Sequence, residues 1–176
     1  MPDHGIVVLG IPIPSSSPMF LGIVAAHVGS GLVCVISGLI AMLSMKRPGR
    51  HPVAGTVYYW FLALVFASMS MLSFLRWPED THLFFLGVLA FAAATIGRAA
   101  RRVQWCGWLK YHVSGMGLSY ILLLTAFYVD NGPNLPLWRS LPSPILWVAP
   151  SIVGLPILIR AMLRHPLIVQ QRRAKS

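Results

Sequence analysis

Histidine is the residue type in this chain whose number and spacing suggest chemistry. There are six. Imidazole is the commonest metal ligand and a frequent axial ligand of haem iron. Other chemistries find no foothold. No serine, cysteine or carboxylate constellation suggests hydrolysis, and only four residues are acidic. There is no glycine-rich phosphate loop, since Gly97 with Arg98, Arg101 and Arg102 reads as a basic helix end. His4 and His165 lie in terminal segments, which leaves His27, His51, His82 and His112 as the candidate ligands.

These four must be positioned by membrane-spanning helices. Of 176 residues, 56% are hydrophobic and 10% charged, whereas a soluble domain carries roughly a quarter of its residues as Asp, Glu, Lys and Arg. A span needs about 20 mostly apolar residues, and five segments meet or approach that length: 19–45, 53–75, 78–100, 105–128 and 144–163. The third is long enough only if Pro78-Glu79-Asp80-Thr81 forms its first turn, with acidic groups at the positive end of the helix dipole. The fifth contains Pro150 and Pro156, which predict a kink. The expected fold is therefore all-α and integral to the membrane, an antiparallel four-helix bundle with a fifth, Pro-kinked helix beside it. Residues 1–18 read as an extracytoplasmic segment without a cleavable signal, and 164–176 as a basic cytoplasmic tail.

Charge orients the spans. Lys and Arg collect on the cytoplasmic side. Lys46, Arg47 and Arg50 follow the first span, and Arg98, Arg101 and Arg102 mark the end of the third, with Lys110 just inside the fourth. Arg160, Arg164, Arg172, Arg173 and Lys175 end the chain, while Arg76, Arg139 and all four acidic residues fall on the other side. This predicts an external amino terminus and a cytoplasmic carboxyl terminus. The net charge of +10 therefore reads as a topology signal, not a nucleic-acid surface, because the basic residues are not interleaved with stacking aromatics on one module. Cys34 and Cys106 are far apart in sequence and are expected to be free thiols.

With this orientation the histidines fall one per helix on four helices, His27 and His82 in the outer leaflet and His51 and His112 in the inner. Helices one and three of an up-down bundle are diagonal partners, as are two and four, so each pair faces itself across the axis. Two imidazoles at equal depth suit a bis-histidine haem, which favours electron transfer because neither axial position is open. Two such haems b make a transmembrane electron path. Gly31 and Gly55, each four residues after a histidine, leave room beside the ligands, with Gly87 and Gly115 similarly placed after His82 and His112. Arg47, Arg50, Arg102 and Lys110 are candidate propionate partners inside, and Arg76 outside.

Plainer readings compete. A histidine near an interface is often a loop or cap residue, and a buried one is satisfied by a serine such as Ser30 or Ser114. Glycines are common wherever membrane helices pack. The second function class is thus a non-catalytic membrane subunit or assembly factor with structural histidines. The third is a metal or small-solute transporter, its two-histidine sites completed by Glu79 and Asp80 or by Cys106. Asn131-Gly132-Pro133 reads as a helix stop, with Asp130 and Asn131 the alternative contacts for a quinol or other electron donor. The lipid bilayer is the expected partner, with a larger membrane complex or a homodimer as further options.

The residues also carry two resemblances. His27 with Gly31 and Gly38, His51-Pro52-Val53-Ala54-Gly55 running into Tyr58, His82-Leu83 with Leu86-Gly87, Gly97-Arg98 with Arg101-Arg102, and Thr125 to Trp138 resemble widespread uncharacterised multi-pass membrane proteins of bacteria, known as a domain of unknown function. That resemblance implies the bacterial inner membrane. More distantly, the four histidines resemble the diheme b-type cytochromes that move electrons from ascorbate or a quinol across a membrane. It implies a transmembrane oxidoreductase or electron carrier, with His27 and His82 on the outer haem and His51 and His112 on the inner one. Those cytochromes have six spans against the five expected here.

Overall fold

A computed structural model describes residues 6–8, 11–13, 17–45 and 49–164. Asp3, His4, Lys46, Arg47, His165, Arg172, Arg173 and Lys175 lie outside the described residues. Five helices follow a short hairpin of strands β1 (Ile6–Val8) and β2 (Ile11–Ile13): α1 (Pro18–Leu43), α2 (Arg50–Leu75), α3 (Thr81–Val103), α4 (Trp108–Asn131) and α5 (Ser143–Arg164). All five are long and apolar enough to cross a membrane. At 1.5 Å per residue even the 22-residue α5 reaches ~33 Å, enough for a hydrocarbon core of roughly 30 Å. In the most apolar stretches of α1 and α5 only 11% of residues are buried within the protein. Val28, Leu32, Ile36 and Leu43 on α1, and Ile152, Val153 and Ile157 on α5, are therefore exposed. Such a surface suits lipid and would be a liability in water.

The chain divides into two compact units, Met1–Gly87 with Pro133–Arg139 and Val88–Gly132 with Ser140–Ser176. In the first, α1 and α2 run antiparallel, because partners descend along α2 as they climb α1: His27 meets Ser68, Cys34 meets Tyr58, and Ala41 meets His51. Cys34, Tyr58 and Leu62 are deeply buried in it, and the Cys34 thiol donates to the Tyr58 carbonyl at 3.4 Å. Both cysteines are free, Cys34 buried and Cys106 exposed. The junction between α2 and α3 is aromatic, with Phe84 against Phe66, Phe74 and Trp77. In the second unit α4 and α5 are antiparallel by the same logic: Gly117 lies against Leu158, Ile121 against Gly154, and Gly132 against Leu146. The helix α5 continues through Pro150 and Pro156.

Three local readings of the sequence are corrected. Residues Pro78–Asp80 precede α3 instead of forming its first turn. The Thr81 N–H and hydroxyl both donate to the Pro78 carbonyl, and the Asp80 carbonyl accepts from Leu83 and Phe84, which starts the helix at Thr81. The helix α4 begins at Trp108, not Trp105, because Gln104 and Gly107 adopt φ of +55° and +76°, left-handed values that interrupt a helix. The amino-terminal segment contains a hairpin that the sequence reading missed. Three-residue strands give too short an alternation to register, and Pro12 pairs with Val7 in a two-stranded ladder, where both strands are edges and proline is tolerated.

Candidate functional site

Of the four central histidines, His27, His51 and His112 are half-buried and His82 is exposed. Three are tied through the same ring atom. His51 Nδ1 lies 2.8 Å from the Ala41 carbonyl and His112 Nδ1 lies 2.9 Å from the Gly97 carbonyl. A carbonyl only accepts, so Nδ1 bears the proton in both rings. His27 Nδ1 is 2.9 Å from Ser68 Oγ. The Ser68 hydroxyl already donates to the Leu64 carbonyl at 2.8 Å, so its oxygen accepts from His27 as well. In each neutral ring the lone pair is therefore on Nε2. That is the usual arrangement of a ligating histidine, whose other nitrogen donates to a fixed oxygen that sets tautomer and ring orientation.

Local structure makes these ties. The last turn of α1 lies beside the first turn of α2, so that the Ala41 carbonyl meets His51. On α4, His112 reaches Gly97 because two glycines let α3 and α4 approach. A Cβ on Gly115 would stand 2.6 Å from the Ala93 carbonyl and 2.9 Å from the Gly97 backbone. The partners are on neighbouring helices, not the serines expected from the sequence: Ser114 donates to the Lys110 carbonyl in its own helix.

Helix α2 serves as a ruler for depth. His27 is level with Ser68, while Phe84 packs between Phe66 and Phe74 and Asp80 is held by Ser73. His82, between Asp80 and Phe84, is then within about one helical turn of the His27 level, an offset of ~5 Å. His82 is only the second residue of α3, closer to the helix end than expected, because α3 starts at Thr81. The later start of α4 likewise leaves His112 about one turn from its helix end, not two.

The glycines divide. A Cβ on Gly31 or Gly55 would meet nothing within 4 Å, and one on Gly87 would make ordinary contact with Phe66 at 3.4 Å. Gly115, by contrast, is filled by α3 and offers no space. Among the candidate propionate partners, Arg76 is paired with Asp80 at 3.2 Å, and Arg50 lines a groove that contains no histidine. Arg102 and Lys110 are exposed near the α3–α4 turn, where Arg101 stacks over Trp108 at 5.4 Å. Among the described residues, no three His, Cys, Asp or Glu side chains come together to hold a metal ion. No protein-family model, curated protein or solved structure matches the chain.

Proposed function

We propose that this is a b-type haem-binding protein of the bacterial plasma membrane that carries electrons across the bilayer, with its amino terminus outside and its carboxyl terminus cytoplasmic. The observation that carries the reading is the common tether of His27, His51 and His112, each donating from Nδ1 to a fixed oxygen so that Nε2 holds the lone pair. A haem between two such rings supplies a one-electron couple with both axial positions filled. In this reading His27 and His82 hold the outer group, in keeping with their similar level along α2. The pairing of His51 with His112 and the bundle of α1 to α4 rest on the sequence argument. Gly31 and Gly55 leave the flanks of His27 and His51 open. The sidedness of the arginines and lysines supports the orientation. A quinol is the electron donor in keeping with a membrane site.

A second reading has its own observation. The same three hydrogen bonds join neighbouring helices, as they would in a non-catalytic membrane subunit whose histidines only hold helices together. The absorption spectrum of the full-length protein, purified with haem supplied, separates the two. Electron transfer predicts a reduced b-type Soret and α band that disappears in a His27→Ala, His112→Ala double variant of unchanged helical content. A colourless preparation sinks the haem reading and leaves the structural one.

A further inference from the structure

A groove between α1 and α2 in the first unit has a volume of about 580 Å³, within the roughly 300–1,000 Å³ typical of ligand sites. Val33, Ile36, Ser37 and Ile40 line it from α1, and Arg50, Val53, Ala54 and Val57 from α2. Both sets follow the i, i+3, i+4, i+7 spacing of a single helix face, so the groove runs along the helices for ~10 Å. Its one hydroxyl is satisfied internally, since Ser37 donates to the Val33 carbonyl at 2.6 Å, and the wall is effectively apolar. Ile36, Ile40 and Val53 remain about half exposed or more, at 50%, 45% and 64%. The groove therefore opens sideways to lipid.

One end differs. Arg50 is the first residue of α2, is exposed, and makes no ion pair with an acidic side chain among the described residues. It sits where the apolar groove meets the helix end, and Lys46 and Arg47 precede it in sequence. An occupant must then be a chain of methylenes ending in a negative charge at the interface, which is the chemistry of an anionic phospholipid. Basic pockets between helices on the cytoplasmic side bind such headgroups. We propose that this groove is a binding site for one anionic glycerophospholipid, its phosphate on Arg50 and an acyl chain along Ile36, Ile40, Val53 and Val57. The inference is independent of the haem reading, because no histidine lines the groove.

The test uses the full-length protein in phosphatidylcholine bilayers with spin-labelled phosphatidylglycerol or phosphatidylcholine, and reads the motionally restricted fraction by electron spin resonance. Phosphatidylglycerol should be preferred about fivefold, as one interfacial cation implies. The preference should fall to near parity in Arg50→Gln, survive in Arg50→Lys, and weaken in high salt without any substitution. Ile36→Trp, which fills the groove, should lower the restricted fraction for both lipids. Equal association of the two lipids with the unmodified protein overturns the proposal. So does a preference that Arg50→Gln leaves intact, which would assign it to other cations.

Discussion

The two units hold their helices together by different means. In the first, α1 and α2 are linked by polar ties, from His27 to Ser68, Cys34 to Tyr58 and His51 to Ala41, while Gly22, Gly29, Gly31 and Gly55 face open space and Gly87 makes only ordinary contact with Phe66. In the second, glycines make the fit: Gly115 against the backbone of Ala93 and Gly97, Gly117 against Leu158, Gly154 against Ile121. Lipid offers no hydrophobic drive to press helices together, so close packing and interhelical hydrogen bonds are the two devices left. Each unit relies mainly on one of them. The same residue type thus carries opposite meanings, a close contact at Gly115, Gly117 and Gly154 and an open face at Gly22, Gly29, Gly31 and Gly55.

The sharpest way to break this contrast is Gly115→Ala. The added methyl would stand 2.6 Å from the Ala93 carbonyl, and backbone atoms cannot rotate away as a side chain would. Separating α3 from α4 is the remaining relief. We expect a loss of about 3 kcal/mol, the upper part of the range for overpacking, read as the unfolding midpoint in detergent. The His112 to Gly97 hydrogen bond should go with it. Any haem on His112 is therefore expected to be lost although the histidine is untouched. A variant as stable as the parent would show that the glycine contact does not hold the second unit.

A smaller effect is expected in the first unit from Ser68→Ala, which removes the side-chain partner of His27 Nδ1 and leaves the Val65 backbone. Interhelical side-chain hydrogen bonds in membrane proteins contribute about 0.6 kcal/mol on average and up to ~1.7, so the midpoint should fall modestly. The same substitution loosens the hold on the His27 ring. If that histidine ligates haem, the reduced α band should broaden or lose intensity beyond what the small stability change explains. Unchanged stability and an unchanged spectrum would remove this tie from both the fold and the site.

The five helices were legible in the sequence because long uncharged runs have few alternatives, and the Met19–Met45 stretch admits hardly any other reading. Their ends were less so. The onset of α3 depended on how Thr81 and Asp80 cap a turn, and that of α4 on left-handed values at Gln104 and Gly107. Both are properties of one or two dihedrals that hydropathy does not register. At the candidate site, depth along each helix could be counted from the sequence, which put His27 and His82 in the same half of the bilayer. The partners could not be. Gly97 and Ala41 accept through their backbone carbonyls, and a carbonyl leaves no mark in residue type. The signal that was available is Gly97 with Gly115, since two small residues facing each other allow the approach that brings His112 to its acceptor.

The smallest expected change is the most discriminating, because its two readouts move in opposite directions. At Gly55 a methyl would meet nothing within 4 Å, and alanine is favoured over glycine within a helix by roughly 0.8–1 kcal/mol. Gly55→Ala should therefore leave the apoprotein as stable as before or slightly more so. Gly31→Ala should behave alike, since its surroundings are equally open. If those openings only face lipid, nothing else changes. If they are the space beside His27 and His51 that a haem plane needs, larger side chains should lower pigment content, with Gly31→Leu and Gly55→Leu more severe than the alanine variants. Stability and pigment would then separate in one series of proteins. A haem content indifferent to leucine at both positions would remove these glycines from the site and leave the open faces of the first unit to the bilayer alone.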